Sequence, residues 1–375
     1  MVDDARAPAS AVTTDRAGRT GILARLVLLV FIGGAVWYGL ARIDWPALGR
    51  ALAAANPLWI LAGIAGAIAS HLLRAHRWRM LIPEGRSIRL RDAFSATMIG
   101  YMFNNIIPRS GELARPWVLA RRVGRPLSAM IASVVVERII DGLSLALVVV
   151  ALTLAGRELI ERLLPEYTAG GLVAAIVIPV LALVALVVLA VRTSLGERLV
   201  ELVARRLPER LGVRVRTIVA DFRTGASLDR SQYGPLTVPV LVALSVVIWL
   251  GYWFGLYSGF FAFGFDRAYG LGVEAALVTL GITSIGMTIA PTPGGFLVYH
   301  SFCIAVLTIA FGVPDEQAAA FALLTHGAPY IAVTAIGAGF ALAENVSLGS
   351  VLRDRRNLPP PPASSTGPGP GPSVG

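Results

Sequence analysis

Residues 127–155 read LSAMIASVVVERIIDGLSLALVVVALTLA, an apolar stretch with three ionisable side chains near its middle. It is longer than the roughly 20 residues that a helix needs to cross the hydrocarbon core of a bilayer. Glu137, Arg138 and Asp141 each cost on the order of 3 kcal/mol at that depth if left alone. Because residues three or four apart share a helix face, we predict a charge-paired cluster that faces the protein interior. Its role is either to clamp helices together or to bind or gate a ligand.

Similar apolar stretches recur along the whole chain of 375 residues. Hydrophobic residues make up 55% of the sequence and charged residues only 15%, whereas soluble domains carry about 25% charged residues. This composition excludes a soluble enzyme, and the single cysteine excludes a disulfide framework or a cysteine-rich metal site. We predict an all-α polytopic membrane protein with about eight transmembrane helices, at residues 22–41, 57–73, 127–155, 168–191, 236–265, 271–290, 296–311 and 318–343.

The arginines indicate how the chain is oriented in the membrane. All 33 basic residues are arginines, and the formal net charge is +10. Arginine-rich connections occur before Arg25 and at residues 74–91, 109–125, 192–230 and 353–356. By the positive-inside rule we place these connections and both termini in the cytoplasm, with the chain in the inner (plasma) membrane. The prediction is one transmembrane domain at residues 21–345, flanked by disordered cytoplasmic tails at residues 1–20 and 346–375.

Two segments depart from simple membrane spans. Residues 92–107 are short, contain Asn104 and Asn105, and lie between two arginine-rich stretches, so we predict a re-entrant helical hairpin that turns at residues 108–111. Residues 192–233 combine many arginines with leucines and valines at helical spacing. This pattern predicts an amphipathic helix, which lies either on the inner leaflet with its arginines on anionic headgroups or free in the cytoplasm.

Residues 104–115 read NNIIPRSGELAR and contain the first break in a membrane helix. The proline and glycine of this stretch interrupt helical hydrogen bonding and leave free N–H groups at the start of the next helix. We expect Arg109 and Arg115 to bind a phosphate, with Glu112 holding one of them in position. The alternative is a basic loop at the membrane surface that only sets the topology.

A second break occurs in the other half of the chain, where residues 290–298 read APTPGGFLV. The prolines together with Gly294 and Gly295 make a continuous helix unfavourable. The same P-x-x-G spacing is present at residues 108–111 and 291–294. Paired broken helices in two halves of a membrane protein are typical of the binding site of a transporter.

Two histidines, His300 and His326, lie in apolar stretches after the second break. Each is interpreted either as a buried histidine bonded to a backbone carbonyl or as part of a pH-sensitive gate or proton relay. Carboxylates or cysteines at ligand spacing do not accompany them, so we predict no metal site. Nucleotide-binding and dinucleotide-binding glycine motifs are also lacking, and the arginines have no folded domain behind them. We therefore expect no cofactor and no nucleic-acid partner.

Four stretches together resemble the lysylphosphatidylglycerol synthase transmembrane-region family of flippase-like integral membrane proteins. They are RAHRWRMLIP at 74–83, NNIIPRSGELARPWVLARRVG at 104–124, ERIID at 137–141 and PTPGG at 291–295. The resemblance implies a multi-spanning lipid translocase, with site residues at Arg109, Glu112, Arg115, Glu137, Arg138 and Asp141. The chain departs from the family pattern at His300 and His326, where a glutamate and an arginine are usual.

The resulting hypothesis is that the protein translocates an anionic phospholipid or a phosphate-bearing lipid, with membrane lipids and a lipid-synthesis enzyme as partners. The alternatives are a membrane-embedded lipid-phosphate or glycosyl transferase with Glu137 or Asp141 as base, and a scaffold subunit of a lipid or cell-envelope biosynthesis complex. The predicted substrate-binding residues are Asn104, Asn105, Arg109, Glu112, Arg115, Glu137, Arg138, Asp141, Gly294, Gly295, His300 and His326.

Overall fold

The computed structural model describes residues 44–83, 85–155, 193–226, 234–289 and 292–347, together with positions 170, 171, 174, 177–182, 185 and 349. Across this described part of the chain the regular structure is helical and no strand occurs. The helices are α1 Trp45–Ala54, α2 Pro57–Leu81, α3 Leu90–Ile106, α4 Gly111–Val123, α5 Leu127–Ala155, α6 Ser194–Arg205, α7 Glu209–Ala226, α8 Thr237–Phe263, α9 Phe265–Ala268, α10 Val273–Ile289, α11 Phe296–Ala305 and α12 Asp315–Ala343.

Four of the described helical segments are long and apolar enough to cross a membrane. They are Pro57–Leu81, Gly234–Phe263, Pro293–Ala310 and Asp315–Ala343. Helix α10 is apolar but shorter, and α5 has the bounds expected from the sequence with its three charged residues inside. The prediction of an all-α polytopic membrane protein is confirmed.

Several predicted segments fall wholly or partly on residues that the structure does not describe. The predicted span at residues 22–41 and the tail at residues 1–20 lie outside the described residues, as does most of the tail at residues 346–375. Within the predicted span at residues 168–191, the structure describes positions 170, 171, 174, 177–182 and 185, and all of them are helical.

Helix α2 is longer than the sequence predicts. It begins at Pro57, where the Asn56 side chain accepts a hydrogen bond from the backbone N–H of Leu58 at 3.0 Å. It then continues to Leu81, whereas the predicted span ends at residue 73 and is followed by a cytoplasmic connection. Arg74 and Arg77 of that connection lie within the helix instead, where carboxylates on α5 compensate their charge.

Helices α2 and α8 pack closely through small residues. A Cβ atom placed on Gly63 would lie 3.0 Å from Ser258 Oγ, and one on Gly66 would lie 3.1 Å from Phe254 Cδ1. Small residues let two membrane helices approach until their backbones are nearly in contact. This packing brings α8 beside the arginine-bearing end of α2.

Helices α3 and α4 form the helical hairpin that the sequence predicts around residues 108–111. The turn is closed by a hydrogen bond from the Gly111 backbone N–H to Asn104 Oδ1 at 2.7 Å. A Cβ atom on Gly100 would lie 3.2 Å from the Gly111 carbonyl oxygen, so the two arms of the hairpin are in close contact. On its other side α3 packs against Gly337 of α12.

Residues 193–226 form two helices rather than the single amphipathic helix that the sequence predicts. Helix α6 ends before Pro208, and α7 starts directly after it, because a proline cannot continue the hydrogen-bond ladder of a helix. The two helices are joined by ion pairs of Glu201 with Arg216 at 2.8 Å and of Glu197 with Arg223 at 2.7 Å. Part of the basic charge in this segment is therefore neutralised within the protein.

Candidate functional site

A cavity of about 640 Å³ lies among the membrane helices. Its walls come from α2, α3, α4, α5, α8, α10, α11 and α12, together with the turn before α4 and the break before α11. Pockets of roughly 300–1,000 Å³ are typical of ligand sites. Nine of the twelve predicted site residues line this cavity. Of the other three, Arg115 and Glu137 form an ion pair with each other in the charged cluster described next, and His300 lies beside His326.

Glu137 is the centre of the buried charged cluster. Its side chain is completely buried and forms an ion pair with Arg115. Two further guanidinium groups, those of Arg74 and Arg77, approach it at 3.4 and 3.5 Å. The Arg115 guanidinium also lies 4.2 Å from the ring centroid of Trp78, so it is held between a carboxylate and an aromatic face.

Asp141 lies one helical turn further along α5, at the edge of the cavity. It accepts a hydrogen bond from Arg74 at 2.5 Å and another from Arg77. Arg138 approaches the same carboxylate at 3.4 Å. The charged groups come from α2, α4 and α5, and Arg77 donates to Ser245 at 2.8 Å and so ties them to a fourth helix, α8.

The cluster as a whole carries excess positive charge. Among the described residues, four guanidinium groups share two carboxylates, so the cluster has two more positive than negative charges. Burying an unpaired charge is costly, and such groups are normally paired or bind a ligand. The arrangement is therefore suited to an anion in the adjoining cavity.

Arg138 is the arginine of the cluster that is most available to such an anion. Its side chain is 40% exposed, while those of Arg74, Arg77 and Arg115 are almost fully buried. It also lines the cavity. Arg115 does not line the cavity, so the expectation that it binds a phosphate directly is not met.

Arg109 and Glu112 line the cavity at the turn of the α3–α4 hairpin. Arg109 is exposed and has a positive φ of 59°, a conformation that residues other than glycine adopt infrequently. The predicted pairing of Glu112 with an arginine is not seen: Arg115 contacts Glu137, and Glu112 makes no ion pair among the described residues. The reason is that a fully buried Glu137 needs compensation more than a cavity-facing Glu112 does.

The two proline-glycine breaks meet at the cavity. Gly294 and Gly295 both have positive φ, at 56° and 70°, which only glycine tolerates easily. A Cβ atom on Gly294 would lie 2.9 Å from Asn105 Oδ1, and the Tyr330 hydroxyl donates to the Asn105 carbonyl at 2.8 Å. Asn105 also donates to Thr334 at 2.7 Å. The first break is therefore bonded to α12 and in contact with the second.

The two histidines lie close together, but only one faces the cavity. The ring centroids of His300 and His326 are 5.3 Å apart, and His326 stacks on Tyr299 at 4.4 Å. His326 lines the cavity, and its Nδ1 has no hydrogen-bond partner among the residues that the structure describes. His300 does not line the cavity, and its Nδ1 bonds the Phe296 carbonyl. His300 thus matches the interpretation of a backbone-bonded histidine. No group of three His, Cys, Asp or Glu residues able to hold a metal is found among the described residues.

Several side chains of the site are not predicted by the sequence. Arg74 and Arg77 were assigned to a cytoplasmic connection, yet both belong to the cluster. They are three residues apart and directly follow an apolar stretch, so they share one helix face. This spacing is the feature of the sequence that could have indicated a place in the cluster. The aromatic wall of the cavity, formed by Tyr101, Trp249 and Tyr252, has no comparable signal in the sequence because these residues come from helices far apart in the chain.

Comparison with known proteins gives one family. The sequence model of the lysylphosphatidylglycerol synthase TM region matches residues 22–337, a range that contains every residue of the cavity. A UPF0104 membrane protein of Methanothermobacter thermautotrophicus is 26% identical over 341 residues, covering 84% of this chain and 91% of that protein. No solved structure matches the chain.

Proposed function

Because this chain belongs to the lysylphosphatidylglycerol synthase TM region family of membrane proteins, we propose that it carries a phosphate-bearing anionic lipid across the plasma membrane. The observation that carries this proposal is the excess of guanidinium groups over carboxylates beside a cavity between membrane helices. A phosphate headgroup placed there would balance that excess charge. The acyl chains would remain in the surrounding lipid.

The energetic obstacle to lipid translocation is the passage of a charged headgroup through hydrocarbon. A single charge at the centre of a bilayer costs at least about 2.5–3.5 kcal/mol. Charge-assisted hydrogen bonds from fixed guanidinium groups offset this cost, since they replace the water that the headgroup loses. A cavity wall that already carries unbalanced positive charge lowers the barrier for anionic headgroups and raises it for cationic ones.

The arginines have different roles in this proposal. Arg109, which is exposed at the hairpin turn, first attracts the headgroup. Arg138, whose side chain lines the cavity and is 40% exposed, then binds the phosphate there. Arg77 and Arg115 do not touch the lipid, and they position Asp141 and Glu137.

The cluster is less suited to the transferase that remained as an alternative. A catalytic base needs a carboxylate oxygen that is free to accept a proton from the substrate. Glu137 is completely buried among three arginines, and Asp141 accepts hydrogen bonds from two. These contacts favour a binding cluster, with a separate lipid-synthesis enzyme supplying the cargo.

The test is lipid translocation in vesicles reconstituted with the full chain. Fluorescent phosphatidylglycerol and a fluorescent polyprenyl phosphate serve as cargoes, and loss of signal to an external quencher reports movement between leaflets. We expect transport with the wild type and at least a tenfold slower rate with Arg138→Ala at an equal folded fraction. Arg267→Ala is the matched control, because that side chain is 92% exposed and lies outside the cavity.

Normal transport by both Arg138→Ala and Arg109→Ala would overturn the proposal. Absence of transport, combined with product formation from a lipid phosphate by protein in detergent, would instead support the transferase. The scaffold would be supported if the wild type showed neither transport nor turnover and the substitutions changed only the stability of the protein.

A further inference from the structure

Pro329 divides helix α12 into two halves that pack against different parts of the molecule. We propose that residues 330–344 swing together with the α3–α4 hairpin about this proline, and that the swing opens and closes the cavity. Residues 90–123 and 330–344 are called the swinging unit below. This inference rests on the proposed function, since it describes how the same cavity admits and releases a headgroup.

The backbone of α12 is weakest at Pro329. A proline has no N–H, so the carbonyl of Thr325, one turn earlier, loses its usual helical hydrogen bond. Helices bend preferentially at such positions, and a few residues suffice to absorb a hinge motion. The second break lies beside this point, because a Cβ atom on Gly294 would overlap the Tyr330 ring. Two interruptions of helical structure are therefore adjacent.

The half of α12 before the proline is fixed in an aromatic core with α8 and α9. The completely buried Phe321 ring stacks on Phe260 with centroids 5.3 Å apart and on Phe265 at 5.6 Å. At the start of α12, the Tyr269 hydroxyl donates to Gln317 at 3.0 Å. These contacts hold this half against helices that do not belong to the hairpin.

The half of α12 after the proline is bonded to α3 instead. The Tyr330 hydroxyl donates to the Asn105 carbonyl at 2.8 Å, and the Asn105 side chain donates to Thr334 at 2.7 Å. Two turns further along, Gly337 lets α12 approach the backbone of Met98, where any larger residue would overlap it. This half therefore follows α3 closely from the hairpin turn inwards.

Arg122 fastens the same two elements at the other end of the hairpin. Its guanidinium group contacts Asp92 of α3 at 2.9 Å and Glu344, directly after α12, at 3.1 Å. Ser95 of α3 donates a hydrogen bond to the same Glu344 carboxylate. Both arms of the hairpin are thus joined to the end of α12, and with the contacts near the proline they form a unit that can move as one body.

The cavity lies between the swinging unit and the other helices. Asn104 and Tyr330 line it from the unit, whereas Arg74 and Arg138 line it from α2 and α5. A change of angle at Pro329 therefore changes the separation of these two walls. In transporters, access to a site alternates largely through rigid-body movement of one group of helices against another.

Arg115 connects the swinging unit to α5 and α2 in the observed conformation. It pairs with Glu137 and lies 4.2 Å from the ring centroid of Trp78. When the unit moves, Glu137 keeps two other guanidinium groups, those of Arg74 and Arg77, at 3.4 and 3.5 Å. The buried carboxylate is therefore not left without compensating charge, which makes the swing accessible.

The first test compares transport with binding in the full chain. Transport of fluorescent phosphatidylglycerol is measured in reconstituted vesicles, and its affinity is measured by titration in detergent. Pro329→Ala restores the N–H that Thr325 lacks, so transport should slow about fivefold, the effect of one backbone hydrogen bond, while the affinity stays within twofold. Pro116→Ala is the matched control, because Pro116 also lies inside a helix but within the swinging unit. It should change neither quantity by more than twofold.

The second test asks whether the hairpin and the end of α12 stay together during transport. Arg122→Cys and Glu344→Cys are introduced together, and a flexible bifunctional thiosulfonate reagent joins the two thiols. The native Cys303 is buried and does not compete for the reagent. We expect the same transport rate before and after cross-linking, because both positions belong to the swinging unit. Mass spectrometry verifies that the cross-link has formed.

Transport by Pro329→Ala at the wild-type rate would overturn the inference, as would an equal loss in Pro116→Ala or a matching loss of lipid affinity in Pro329→Ala. A cross-link that stops transport would overturn it too, because the hairpin would then have to separate from α12. In each of these cases, wild-type transport that depends on Arg138 leaves the proposed function standing. If the wild type transports no lipid, both fail.

Discussion

Arg138 and Arg115 belong to the same charged cluster, yet their replacement by glutamine should have opposite consequences. The Arg138 side chain is 40% exposed, and its nearest carboxylate oxygen is 3.4 Å away on Asp141. Arg115 is buried, paired with Glu137 and packed on Trp78. We expect Arg138→Gln to impair lipid binding with little loss of stability, and Arg115→Gln to lower the stability.

The contacts that remain in each variant give the magnitudes. Without Arg138, Asp141 is still bonded to Arg74 and Arg77, so the free energy of unfolding should fall by less than about 1 kcal/mol. Without Arg115, the fully buried Glu137 retains guanidinium groups at the longer distances of 3.4, 3.5 and 4.0 Å, those of Arg74, Arg77 and Arg138. Breaking a buried ion pair costs roughly 3–5 kcal/mol, and these remaining contacts place the expected loss near the lower figure.

The binding effect follows from the lost contact with the headgroup. A hydrogen bond to a charged group contributes about 1.5–3 kcal/mol, so Arg138→Gln should weaken binding of phosphatidylglycerol by about 10-fold to 150-fold. Denaturant unfolding in detergent and lipid titration measure the two quantities on the same preparations. An Arg138→Gln variant that loses 3 kcal/mol of stability, or binds phosphatidylglycerol as the wild type does, would refute the reasoning.

Three further perturbations have defined outcomes. Glu112 lines the cavity and makes no ion pair among the described residues, so Glu112→Gln removes a negative charge that repels an anionic headgroup. Phosphatidylglycerol binding should tighten about fivefold, which corresponds to about 1 kcal/mol. Weaker binding would contradict this. Gly251→Leu would overlap Ser70 at the α2–α8 contact and should cost about 1–3 kcal/mol, seen as a lower Tm. Hydrogen bonds from Arg216 and, to a lesser extent, from Arg205 lower the pKa of the Glu201 carboxyl from 4.5 to about 2. Its stabilising contribution is therefore complete above pH 4.5 and lost as the pH falls through about 2. In Arg216→Ala the Glu201 titration, followed by carboxyl carbon NMR, should move towards 4.5; an unchanged midpoint would count against this ion pair.

The sequence predicted helices well where apolar length alone determines them. Helix α5 has the predicted bounds because its apolar residues outnumber the three charged ones, which pair inside the protein. The end of α2 could not be predicted in this way, since Arg74 and Arg77 resemble the basic flank of a membrane span. Only their contacts with carboxylates on another helix show that they lie inside the protein.

The candidate site shows the same division between local and distant contacts. The spacing of Glu137 and Asp141 indicated a shared helix face, and the structure places both carboxylates in one cluster. The spacing of Glu112 and Arg115 equally favoured a local pair, but Arg115 contacts Glu137 on the next helix. Spacing along the chain cannot show whether Arg115 pairs with Glu112 or with Glu137, because the choice depends on which carboxylate is buried.

The meeting of the two breaks was expected only in outline. The repeated P-x-x-G pattern indicated paired broken segments, while the contact between Asn105 and Gly294 depends on how α3 and α12 pack. That packing results from small residues such as Gly337, which have no distinctive pattern in so glycine-rich a chain.

The central claim is that lipid headgroups pass through this cavity, and a blocking experiment tests it most directly. The protein has a single cysteine, Cys303, which is buried, so an introduced thiol can be modified selectively. Ser284 lines the cavity, whereas Ser301 is exposed and does not. Translocation of fluorescent phosphatidylglycerol is measured in vesicles before and after a membrane-permeant benzyl thiosulfonate reagent.

We predict that the reagent stops transport by Ser284→Cys and leaves transport by Ser301→Cys and the wild type unchanged. Mass spectrometry of the reacted proteins verifies that each introduced thiol carries the benzyl group. Undiminished transport by fully modified Ser284→Cys would contradict passage of the headgroup through the cavity.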